Sequence, residues 1–198
     1  MYVVRIGLNG GGIIMMFCSD KERDFFNNWF FHAQQDSNYD PEKQFFYFYA
    51  LFDHLFKSYT KEKKNVLEKQ GLNIKKGEKY KMLFFLYSIL FYEEEKEYFE
   101  DFNPFATLKS KNETYLLKKI KIYESKVFFQ NHSLPDFSMI EKLFTEIYKI
   151  RCELFHGDTL LTDTNKRMEI EEANIVLKEF LNRLLQANIS ETNQGVCK

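Results

Sequence analysis

Between residues 20 and 187 the apolar positions recur every three or four residues along most of the chain, the period of a helix with one buried face. Phe25, Phe26, Trp29, Phe30 and Ala33 keep that spacing behind Ser19 and Glu22, which have the form of a capping box, so a first helix is expected from about Asp20 to Gln35. Asp40 followed by Pro41 reads as an N-cap and a first helical position. Phe45, Phe48, Tyr49, Phe52, Leu55, Phe56 and Tyr59 then give a second helix one deeply buried face.

The pattern changes at Lys61. From there to Lys81 the chain is polar and Lys-rich, with Gly71 and Gly77 as breaks, and reads as a solvated connection more readily than as a patch for RNA. A third helix is expected through "KMLFFLYSILFYEEEKEYF" until Asn103-Pro104 stops it. Residues 112–130 partly alternate with period two in "KKIKIYESKVFF", but helix is the better fit; "NHSLPD" is a loop in which His132 reads as a surface residue. Ser138 should cap a helix from about Met139, with Ile140, Leu143, Phe144, Ile147, Ile150, Leu154 and Phe155 as its inner stripe. Gly157 should end it. A last helix, capped by Asp163 or Thr164, carries Ala173, Val176, Leu177, Phe180, Leu181, Leu184 and Leu185 inward.

These elements predict an all-α bundle of about five to six helices: a single domain over residues 19–187, a flexible N-terminal tail over 1–18 and a disordered C-terminal tail over 188–198. Composition sharpens this, since 22 Phe and 12 Tyr against 8 Gly and 3 Pro leave much to pack and few breaks. With 28 basic and 29 acidic residues the overall field will not draw in nucleic acid, so any such binding must be local, and no basic recognition helix suggests a DNA reader. Cys18, Cys152 and Cys197 have no metal-ligand spacing and suit a reducing, cytoplasmic setting. No metal or cofactor is expected. "IIMMFC" is too short to span a membrane. "GLNGGG" lacks the preceding strand and following Lys-Ser/Thr of a phosphate loop; three Gly codons upstream of Met15 could instead be a ribosome-binding site, with translation starting at Met15.

The stretch "IYKIRCELFHGD" breaks the pattern chemically. At about 100° per residue, Arg151 projects about 20° from the middle of the apolar stripe, where it should be shielded from water. A guanidinium cannot shed its charge, so it must be paired, hydrogen-bonded or placed at an interface; an acid such as Asp53 or Glu146 could pair with it. His156 lies five residues further on, about 140° around an unbroken helix. The two converge only if the helix ends near the histidine or a second subunit supplies the other copy.

Arg-Cys-Glu-Leu-Phe-His-Gly before a last amphipathic helix resembles the motif of the HEPN superfamily (higher eukaryotes and prokaryotes nucleotide-binding domains), an arginine, four to six residues, then a histidine. Tyr148 and Ile150 before the arginine, Leu154 to Gly157 after it and the closing helix are similar to bacterial members. "FYFYALFDHLF" resembles their aromatic second helix, in which an Asn often stands where this chain has Asp53.

The resemblance implies a metal-independent endoribonuclease of the toxin or phage-defence kind, a homodimer whose two motif helices meet in one cleft, with RNA as substrate and an antitoxin or regulatory protein as a further partner. The chemistry agrees: RNA carries its own 2'-OH nucleophile, an imidazole moves protons near neutrality, and a guanidinium stabilises charge developing on phosphate. His156 and Arg151 take those catalytic roles, with Cys152, Glu153, Asp53 and Tyr148 as supporting candidates. Cys152 stands where many active members have Asn, Asp or His, and Glu153 sets a negative charge beside a phosphate site. The competing class is a non-catalytic helical module that binds a protein partner or a nucleotide.

Overall fold

A computed structural model of the chain describes residues 20–35, 40–69, 77–91, 94–111, 115–120, 134–156 and 163–194. These residues form an all-α bundle with no strand among them. Its helices are α1 (Asp20–Gln35), α2 (Pro41–Lys69), α3 (Glu78–Phe91), a 3-10 turn at Glu94–Phe99, α4 (Pro104–Ser110), α5 (Tyr115–Lys119), α6 (Phe137–His156) and α7 (Thr164–Gln194). "GLNGGG", Met15, Cys18, Ser19, Gly71, His132, Gly157 and Cys197 lie outside the described residues.

The long amphipathic elements follow the periodicity, and their ends follow local hydrogen bonding. Asp40 Oδ1 accepts from the backbone N–H groups of Glu42 and Lys43, both at 3.1 Å, and Asp163 Oδ1 accepts from Asn165 N–H at 2.9 Å, as N-caps should. Four boundaries differ from expectation. The second helix runs on through the polar Lys-rich segment to Lys69, because Lys and Glu are good helix formers and nothing there breaks the backbone. α3 ends at Phe91, and Asn103-Pro104 starts a helix: Asn103 Oδ1 accepts from Ala106 N–H at 3.0 Å with proline in the first turn. α6 begins at Phe137, where the carbonyl of Asp136 accepts from Met139 N–H at 2.9 Å, so Ser138 lies inside the helix. α7 continues to Gln194, past the expected domain end at residue 187.

α2 is the central element, packed between α1, α3 and α7. Its predicted face is buried without exception, from Phe45 to Tyr59. Phe52 meets Phe56, Phe85, Phe144 and Phe180 at centroid distances of 5.5 to 6.0 Å, and Phe180 also touches Phe99 and Phe102, so α2, α3, α6 and α7 share one aromatic centre.

One buried charge organises the far side of the bundle. Glu172, fully buried on α7, accepts from the backbone N–H groups of Tyr115 and Leu116 at 2.6 and 2.7 Å, capping α5 from a neighbouring helix. Beside it the carboxylate of Glu169 takes Lys119 at 2.6 Å and Lys166 at 3.6 Å. Two ties hold α2 at its start: Asn174 on α7 donates to Pro41 O, and Gln44 donates to Ala33 O in α1, both at 2.8 Å.

Candidate functional site

α6 keeps its apolar stripe buried from Met139 to Ile150, then runs past the core: Leu154 is partly buried, and Phe155 and His156 are exposed. Phe155 therefore leaves the inner stripe to which its spacing assigned it. Its ring stacks at 5.7 Å and 20° on Phe46 of α2, and the Arg151 guanidinium, one helical turn earlier on the same face, lies 4.9 Å above the ring centroid.

Arg151 is half-buried, with 21% of its side chain exposed. Its partners are neither Asp53 nor Glu146. Asp53 pairs with Lys57 at 2.8 Å, and Glu146 with Lys149 at 2.6 Å. Arg151 Nη2 instead reaches Glu78 Oε2, at the start of α3, at 3.6 Å; it also lies 6.0 Å over the Tyr49 ring and 4.0 Å from Cys152 Sγ. The half-buried guanidinium thus finds an acid and two rings within its own chain, and its position on the stripe requires no facing subunit.

Glu78 is shared. Lys57 Nζ approaches it at 2.9 Å as well as Asp53, so Asp53, Lys57, Glu78 and Arg151 alternate in sign along one chain of contacts. The hydrogen bond from Lys57 holds the Glu78 carboxyl below its usual pKa against the opposing effect of burial, with Arg151 adding to the attraction. Partial burial works against the charges of Lys57 and Arg151, but their partners outweigh it and both pKa values rise. Burial, with Asp53 adding to it, drives the Tyr49 phenol well above its ordinary range, and its hydroxyl is buried without a hydrogen-bond partner among the described residues, as is Asp53 Oδ1. Tyr148 also titrates high, through partial burial and its neighbour Cys152.

Glu153 points elsewhere. Lys166 from α7 pairs with it at 2.5 Å, so its charge is compensated by a cation rather than left beside Arg151. His156 is the last residue of α6, exposed, with no ion pair or ring contact among the described residues. Because α6 is helical through His156, about 140° of rotation separates it from Arg151 on one chain. His54 and His32 are exposed. No three His, Cys, Asp or Glu side chains converge as a metal site among the described residues, and no described helix is long and apolar enough to cross a membrane.

The residues missed from sequence are Tyr49, Lys57, Glu78 and Phe46. Tyr49, Asp53 and Lys57 share one stripe of α2 at four-residue spacing, a signal that polar groups gather along it. Nothing local links Glu78 to Arg151; only the packing of α3 on α6 does. A separate cleft of about 800 Å³ lies between the start of α2, α4 and α7, lined by Gln44, Thr107, Asn174, Glu179 and Arg183, and includes none of the α6 residues. Compared with known proteins, the chain matches no family model, no curated protein and no solved structure.

Proposed function

We propose that this protein is a metal-independent endoribonuclease of the HEPN type, acting as a toxin or phage-defence effector, with Arg151 and His156 as its catalytic residues. What supports it most is the end of α6, where a guanidinium lies over the exposed ring of Phe155 and the next residue, His156, is exposed with no ion pair or ring contact among the described residues. The motif resemblance supplies the reaction: the imidazole takes the proton of the 2'-OH as its oxygen bonds to phosphorus, the guanidinium takes the charge developing on phosphate, and the P–O5' bond breaks, leaving a 2',3'-cyclic phosphate on one product and a protonated 5'-OH on the other. Since Arg151 and His156 diverge by about 140° on one α6, the site is composite, formed by the α6 ends of two copies. An antitoxin or regulatory protein would restrain it, and the setting is cytoplasmic.

The second reading, a non-catalytic module for a protein partner or nucleotide, is favoured by the Asp53–Lys57–Glu78–Arg151 contacts, in which Arg151 neutralises an acid of its own chain. Incubating wild type and His156→Ala with mixed tRNA and mRNA in excess chelator separates the two. Cleavage by wild type alone, leaving 2',3'-cyclic phosphate ends, is the expected result; identical RNA profiles from both proteins favour the module.

A further inference from the structure

An aromatic strip begins at Arg151 and crosses three helices. From the guanidinium it passes to Phe155, then to Phe46 of α2 at 5.7 Å, to Trp29 of α1 at 6.4 Å and to Phe25 at 5.1 Å. Phe155, Phe46 and Phe25 are 51%, 44% and 43% exposed, unlike the Phe residues of the core, which lie at or near zero. Phe155, Phe46 and Phe25 therefore touch neighbouring rings and are also open to solvent, while Trp29 between them is partly buried against the core. A cation closes one end, and His156 is the next residue after Phe155.

We infer that this strip is a stacking platform for the unpaired bases of a single-stranded RNA, which it leads into the Arg151 end of α6. The choice of RNA rests on the ribonuclease reading of Arg151 and His156; the platform rests on the ring geometry. Every base has a π-face, so rings spaced about one contact apart bind a strand without reading its sequence, while a guanidinium at one end takes a phosphate. A duplex hides those faces. A second copy of the chain fits the strip less well: three rings, each about half exposed, present on the order of 300 Å² of apolar surface, against about 800 Å² that each partner gives a stable interface.

The protein's single tryptophan, Trp29, lies within the strip and reports on it. The test uses the full chain carrying His156→Ala, so that the probe is not cut, with a labelled single-stranded oligoadenylate and its duplex with oligouridylate. The single strand should quench Trp29 fluorescence and bind, and the duplex should not. Phe155→Leu with Phe46→Leu should weaken binding roughly ten- to a hundredfold, because bulk is kept and the stacking face is lost, whereas Phe155→Tyr should bind as the parent does. Both sites are exposed, and thermal unfolding checks that the variants fold as the parent does. Unchanged affinity in the leucine variant overturns the platform, as does failure of the parent to bind the single strand. Loss of self-association in sedimentation with RNA affinity intact also overturns it and assigns the strip to a protein interface. Binding as expected without cleavage by wild type leaves the platform standing and removes the ribonuclease reading; cleavage with a KM indifferent to the leucine variant does the reverse.

Discussion

Two helices carry a charged residue that packing shields from water, and they treat it in opposite ways. Glu172 on α7 is fully buried, and its two oxygens accept short hydrogen bonds from the first backbone N–H groups of α5. Arg151 on α6 is half-buried, its ion pair is 3.6 Å long, its acid is shared with Lys57, and the Tyr49 hydroxyl and Asp53 Oδ1 nearby have no hydrogen-bond partner among the described residues. Buried charge contributes to stability when its oxygens are hydrogen-bonded, as both are at Glu172. A charge left loosely held among under-satisfied polar groups contributes little to stability, and its neighbourhood is the kind that binding a ligand completes.

The comparison breaks first, and by the largest amount, at Glu172. Glu172→Ala should destabilise the fold by about 2–4 kcal/mol in urea unfolding, since the buried Leu116 N–H and the partly buried Tyr115 N–H lose a charged acceptor at once. A loss of less than about 1 kcal/mol would mean that water enters and caps α5, and the contrast with Arg151 would vanish.

Arg151→Ala should cost only about 1 kcal/mol by the same measurement. The guanidinium gives up a partly exposed ion pair and a stacking contact on an exposed ring, while Glu78 keeps Lys57 and is not left unpaired. A loss equal to that of Glu172→Ala would make Arg151 a structural residue and favour the non-catalytic reading of the α6 end.

Much of this contrast was legible in the sequence. The helices, the apolar faces of α2 and α7 and the caps at Asp40 and Asp163 follow from local period and local hydrogen bonding, which a linear chain displays. Arg151 stood out because it broke a stripe. Its partner did not, since Asp53 and Glu146 pair with lysines one turn away on their own helices, leaving an acid on a distant helix to meet the guanidinium. Phe155 was misassigned for a related reason: periodicity gives the direction of a side chain but not where along the helix the core ends. Glu172 was invisible as a cap because the helix it serves lies in a segment of mixed period far from it in sequence.

The smallest expected effect sharpens the comparison through pH. Glu78 has a carboxyl pKa depressed below the ordinary 4.5, chiefly by the hydrogen bond from Lys57, with burial opposing and Arg151 adding. A group whose folded pKa is depressed adds stability that is present above its unfolded pKa and is lost as pH falls through the folded value. Wild type should therefore exceed Glu78→Gln by no more than about 1 kcal/mol near neutral pH, screened because the carboxylate is partly exposed. That margin should hold down to about pH 5 and close below the ordinary value, where Glu78 takes up a proton and becomes as neutral as Gln. Lys57 stays charged throughout this window, so the closure reports on the acid alone. Urea midpoints across pH 3 to 7, on the order of one unit apart, measure it. A margin that grew toward acid would mean that Glu78 is better held protonated, and Arg151 would then lose the charge of the acid that it touches, leaving its own charge to the Phe155 ring and to an incoming phosphate.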